Sequence, residues 1–177
     1  MRGALMGRKL IILISLLFVV MVGYFLINIF KSDPCTLLLT GAEQEIYDSF
    51  VVEYDNNILA EADPLLICKL YLHAMQTNDT DTGYQLVSKD QKYATYIPSK
   101  DEFLIESFFH YGKLPEEAYE ECHDLKVTVG KDGIYATISW ISREIEKVKG
   151  QKDSSRYTFK LVKDENSWKV LYPPFNS

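Results

Sequence analysis

Three histidines and three cysteines carry most of the reactive chemistry of this chain, against twelve tyrosines, nine phenylalanines and two tryptophans. His73 lies in an almost wholly apolar stretch, Leu65 to Met75, about one helical turn after Lys69, and so falls on that helix's more polar edge. His110 ends a second apolar stretch. Each is a candidate general acid or base if a carboxylate stands within hydrogen-bond reach. The alternative is a structural histidine, solvated or hydrogen-bonded. Glu121-Cys122-His123-Asp124 sets four metal-binding residue types side by side. Sequence neighbours point in different directions, and no CxxC or HxxxH spacing supports them, so no metal or other cofactor is expected. Three cysteines are too few for a disulfide scaffold. In an exported domain Cys68 and Cys122 are the two able to pair across the core, leaving Cys35 free for an intermolecular bond. The alternative is two buried thiols packing as small apolar groups. Among the aromatics, Tyr71, Tyr84 and Trp140 are candidates to line a small-ligand pocket, against the reading that aromatics on regular elements are core.

The elements that must position these residues fall into two parts. Leu10 to Phe30 is a 21-residue run without a charge, interrupted only by Ser15, Gly23 and Asn28. As a helix it spans about 31 Å, the hydrocarbon thickness of a bilayer. A cleaved signal peptide has a shorter apolar region and a small-residue cleavage site; Asn28-Ile29-Phe30-Lys31 offers none. Residues 10–30 therefore read as an uncleaved, single-pass anchor in contact with lipid. Arg2, Arg8 and Lys9 precede it, which puts a cytoplasmic stub at 1–9 and the rest of the chain across the membrane. Residues 31–42 read as a tether and 43–177 as the extracytoplasmic domain. Residues 31–177 carry 16 basic and 25 acidic side chains, a net of −9. Such a body lacks the basic footprint that nucleic acid needs.

Within the domain, Glu43–Ala62 has the period of an amphipathic helix, weakened by Asp55-Asn56-Asn57. Asp63-Pro64 signals the start of a helix apolar nearly all round, and hence buried at the centre. Thr77–Thr80 reads as a turn, Asp81–Ser88 as a short helix, and Lys92–Ile97 as a short strand ended by Pro98. Ser99 and Glu102 form a capping box opening another helix, and Pro115 starts a helical turn. From Leu125 the period becomes two, with Leu125, Val127 and Val129 on one side. Turn residues follow at Gly130–Gly133 and Asp164–Ser167, and Glu144–Ser155 reads as a charged connection. Pro173-Pro174 is expected to end the sheet. The fold class is α+β: N-terminal helices packed on an antiparallel sheet with one face buried.

The stretches DPLLICKLYLHAMQTNDTDTGYQLVSKD, VTVGKDGIYATISW and RYTFKLVKDENSWKVLY make residues 60–172 resemble the nuclear-transport-factor-2-like superfamily. The resemblance implies a cone-shaped domain whose curved sheet and helices enclose a cavity. Catalytic members use a carboxylate or an Asp/His pair inside the cone; many members are dimers, assembly factors or anchored accessory domains. It also implies kinship with envelope proteins such as assembly subunits of secretion and conjugation machines. No nucleophile motif, phosphate loop or repeat accompanies the histidines, and the balance is against catalysis. The expectation is a membrane-anchored binding or scaffold protein acting by protein contact or self-association. The alternative is an anchored small-ligand receptor or acid–base enzyme, isomerase- or dehydratase-like, using the cone.

Overall fold

Thr40 opens the first helix by a reciprocal pair of bonds. Its hydroxyl accepts from the Glu43 N–H at 3.3 Å, and the Glu43 carboxylate accepts from the Thr40 N–H at 2.7 Å. Helix α1, Gly41–Glu53, buries Tyr47 and Phe50. It stops at Tyr54, which is left-handed (φ 54°). Asp55 then accepts from the Asn57 N–H and starts a 3₁₀ turn, Asn56–Leu59. The single helix expected over Glu43–Ala62 is thus broken where Asp and Asn side chains offer the backbone a competing partner.

Helix α2, Pro64–Gln76, starts as its sequence dictates, with the Asp63 carboxylate accepting from the Leu66 N–H at 2.8 Å. Ile67, Cys68, Leu70, Tyr71 and Ala74 are essentially inaccessible to solvent. Asn78 turns the chain at φ 59°, and Asp79 caps α3, Thr80–Gln85. A Cβ on Gly83 would lie 2.9 Å from the Met75 sulfur, so glycine permits the close approach of α3 to α2. Helix α4, Lys100–Phe109, carries the expected capping box, with Ser99 and Glu102 exchanging bonds at 2.8 and 3.3 Å.

The computed structural model describes residues 35–93, 96–109, 122–142, 145–147, 151–153 and 156–175. The apolar run 10–30, His110 and the helical turn expected at Pro115 lie outside the described residues. Among the described residues no helix is long and apolar enough to cross a membrane.

Strands β1 (Cys122–Val129), β2 (Tyr135–Ser142), β5 (Arg156–Asp164) and β6 (Ser167–Phe175) form an antiparallel sheet in the order β1-β2-β5-β6. Ala136 pairs with Leu161 and Leu161 with Val170, while Ile138 pairs with Phe159. These residues share the buried face, and α2 packs against β2 and β6. The architecture is α+β, helices on an antiparallel sheet.

Several expectations are corrected. Glu144–Ser155 is more than a connection: Ile145–Lys147 (β3) and Gln151–Asp153 (β4) pair as a separate two-stranded sheet. Residues 91–93 form a turn and 96–97 no strand, so the strand expected at Lys92–Ile97 is not formed there. The short helix ends at Gln85 because Val87 pairs with Val170 at the sheet edge. Pro173-Pro174 does not end the sheet. Val170 and Phe175 face Leu161 and Phe159, so the prolines sit in a bulge of an edge strand, where missing N–H groups cost little. Val127 and Val129 share the face of Ile138 and Ala136 yet are 42% and 47% exposed, because β1 lies at the sheet's edge.

The bridge expected between Cys68 and Cys122 is also corrected. Cys122 is bonded to Cys35, with Cα atoms 4.9 Å apart, and Cys68 is a free, buried thiol. Backbone bonds fix this pairing: Cys35 N–H to Cys122 C=O at 2.9 Å and the reverse at 2.8 Å. Cys68, on the core face of α2, stays among apolar neighbours, and burial pushes its thiol far above the usual range. The bridge closes a loop of 87 residues, which in chain-entropy terms stabilises the fold by about 4–5 kcal/mol.

Candidate functional site

The sequence candidates are not gathered at one place. Tyr71 and Trp140 are 1% and 0% exposed and belong to the core, which they fill with Phe50, Phe103 and Phe159. Tyr84 packs its ring on Phe103, with centroids 5.5 Å apart, and its hydroxyl donates to Pro98 C=O at 3.4 Å. His123 lies on β1 opposite Ile141, and the neighbouring Cys122 sulfur is committed to the disulfide. Among the described residues no three His, Cys, Asp or Glu side chains are grouped to hold a metal ion.

His73 does meet a carboxylate's surroundings, but as part of a cap. Asp79 accepts from the Tyr47 hydroxyl at 2.8 Å, from the Thr82 hydroxyl at 2.7 Å and from the Thr82 N–H at 3.1 Å. Burial works to raise the Asp79 pKa, but these bonds outweigh it and hold the carboxylate below its usual range. The His73 ring stands edge-on to Tyr47 at 4.7 Å. Burial lowers its pKa against the pull of Asp48 and Asp79. The grouping ties α1 to the start of α3.

The polar chemistry converges elsewhere. After α3 the chain runs beside β6: the Val170 N–H donates to Leu86 C=O at 2.9 Å, and the Ser88 N–H to Val170 C=O at 2.9 Å. This sets Lys89, Asp90 and Tyr93 against the β5–β6 turn. There Asp164 and Ser167 pair across Glu165-Asn166, and Glu165 is left-handed (φ 53°). Between the two segments lies an open cleft of about 580 Å³, floored by Asn56, Gln85 and Lys169. Ser88 ties its two walls together, donating to the Asp164 carboxylate at 2.8 Å and accepting from the Asp90 N–H at 3.3 Å.

Lys169 is the unusual group of this cleft. It is only 7% exposed, and its ammonium donates to Asn56 Oδ1 at 2.6 Å and Gln85 C=O at 3.1 Å, both neutral acceptors. Burial lowers its pKa to about 8, against the pull of Asp164 and Glu165. Lys89 stands beside it with an exposed stem. Its ammonium donates to Tyr84 C=O at 2.8 Å and lies 3.1 Å from the centre of the Tyr84 ring. Partial burial and the Lys169 charge lower the Lys89 pKa too. Such a site can hold a polar ligand carrying an anionic group, since a buried cation facing a cleft gains from a counter-charge.

Neither lysine stands out in the sequence. Lys169 alternates with Trp168 and Val170, which reads as a solvent-facing position. Its hydrogen-bond partner Asn56 is 113 residues away.

No protein-family model, curated protein or solved structure matches this chain.

Proposed function

We propose that this chain is a single-pass membrane protein that presents its α+β domain on the extracytoplasmic side of a cell envelope, where it serves as a binding or scaffold module without chemistry of its own. The observation that carries this reading is the Cys35–Cys122 bridge. Structural disulfides persist in oxidising compartments, and Cys35 follows the apolar run by only a few residues. The basic flank before that run agrees with the orientation. Helices preceding a four-stranded meander support the nuclear-transport-factor-2-like resemblance and, with it, a cone-shaped domain. Tyr71, Trp140 and Phe159 are buried in the core, which favours binding at the surface over acid–base catalysis inside.

Topology is the test. The full chain is expressed and its membranes are prepared as right-side-out vesicles. A membrane-impermeant maleimide is expected to label Cys35, the partly exposed end of the bridge, only after an impermeant reductant, in intact vesicles. Labelling that needs no reductant, or that needs the vesicles opened, would falsify the reading.

A further inference from the structure

Lys169 and Lys89 face one cleft, and no carboxylate hydrogen-bonds to either among the described residues. Each ammonium has three donor hydrogens. Among the described residues Lys169 meets two protein acceptors and Lys89 one, so each retains a donor for a ligand. An anionic group set between them would offset both the burial of Lys169 and the repulsion between the two cations.

Carboxylates stand on both sides of the lysines, Asp90 next to Lys89 and Asp164-Glu165 on the β5–β6 turn. Asp90, Asp164 and Glu165 line the same cleft. Asp164 is engaged by the Ser88 hydroxyl, and Asp90 by the Lys92 N–H at 2.8 Å. With two lysines and three carboxylates the lining is formally −1. A plain dianion such as phosphate is repelled by those carboxylates. A ligand that carries a cation next to its anion finds a counter-charge for each. The volume, about 580 Å³, is of the size that takes a small molecule or a chain terminus.

We propose that this cleft binds an amino-carboxylate zwitterion, a free amino acid or a short peptide, with its carboxylate on Lys169 and Lys89 and its ammonium on Asp90 and Glu165. This deepens the reading of the domain as a binding module and is independent of its membrane topology.

The test is calorimetric titration of the full chain in detergent at neutral pH. The probes are L-alanine and L-alanyl-L-alanine; N-acetyl-L-alanine, L-alaninamide and inorganic phosphate are the comparisons. At least one zwitterion is expected to bind in the millimolar range or tighter, and blocking either of its ends is expected to weaken it about tenfold or more. Tighter binding of L-alanine assigns a free amino acid as the ligand; tighter binding of the dipeptide assigns a chain terminus. Lys169→Gln, Lys89→Gln and the pair Asp90→Asn/Glu165→Gln are each expected to weaken the favoured probe by a similar factor. Should Lys169→Gln fail to fold, the more exposed Lys89→Gln and Asp90→Asn carry the test. Three results overturn the proposal: no zwitterion binds, a blocked probe binds as well as the zwitterion, or phosphate binds more tightly than either. A negative titration beside the expected maleimide labelling removes the ligand and leaves the anchored module standing.

Discussion

Lys69 on α2 and Lys169 on β6 are almost equally hidden, 8% and 7% exposed, yet they are held in opposite ways. Lys69 reaches both oxygens of Glu43, at 2.8 and 3.0 Å. The same carboxylate caps α1 through Thr40. Burial works to raise the Glu43 pKa, but Lys69 and Thr40 outweigh it and hold it low. Charge, hydrogen bond and helix cap close on themselves there. Lys169 meets an amide oxygen and a carbonyl, keeps its charge uncompensated at close range, and faces an opening. A closed ion pair fastens two helices; a buried charge left open toward a cleft is free to be answered by something else.

The comparison breaks most visibly at Glu43. Glu43→Ala strands the Lys69 ammonium and removes half of the α1 cap, and is expected to cost about 2–4 kcal/mol of unfolding free energy, toward the lower end of buried pairs because Glu43 is partly solvated. A denaturant midpoint unmoved from wild type would end the claim that this pair is structural. Lys169→Met should go the other way, since it exchanges a desolvated cation for a methylene chain. A gain of about 1–2 kcal/mol is expected, reduced by the bonds lost to Asn56 and Gln85; a loss as large as that of Glu43→Ala would erase the distinction between the two lysines.

The two regions should also separate by pH. The Lys169 pKa is lowered to about 8 in the folded state, against about 10.4 for a free lysine. Between those values the unfolded chain binds more protons at this lysine than the folded one, so the Lys169 contribution to stability rises with pH across that window, by at most about 3 kcal/mol. The Lys169 share of the rise is expected to be lost in Lys169→Met, measured as the difference between the two unfolding curves, while the share of Lys89, lowered by its own partial burial, remains. Glu43 is depressed, so its contribution is present at neutral pH and is lost as pH falls through and below the carboxylate range. An acid limb that persists unchanged in Glu43→Gln would count against it. The smallest effect is at the cleft's rim. Glu165 holds a left-handed backbone at φ 53° with a side chain that disfavours it. Glu165→Gly is expected to stabilise by about 0.5–1 kcal/mol, read as a rise in melting temperature; a fall would show that the turn is not strained there.

What could be read from the sequence was local. Asp63-Pro64, Thr77–Asp79 and the Ser99–Glu102 box act through neighbours three or four residues away, and each forms as its residue types require. The alternation Ala136, Ile138, Trp140 also specified its own buried face. What was hidden depends on distant partners. Cys35 finds Cys122 only because the chain after the apolar run lies beside the start of β1. Val87 looks helical until β6 gives it an edge to pair with. Lys169 looks solvated because period two assigns it to the open face, yet the 3₁₀ turn bearing Asn56 and the end of α3 at Gln85 meet its ammonium. The candidate site is joined across the fold by contacts of this second kind, Lys169 to Asn56 and Gln85 and Ser88 to Asp164, so periodicity pointed to the histidines and tyrosines instead.

The Cys35–Cys122 bond has a mechanical meaning as well. Tension applied to the chain ahead of Cys35 passes through the sulfur atoms to the edge of the sheet, bypassing α1 to α4. The 87 residues enclosed by the bond represent roughly 300 Å of extended chain that cannot be paid out while it is intact. Under load, an oxidised domain would yield by parting strands, whereas a reduced one would unravel from α1 first.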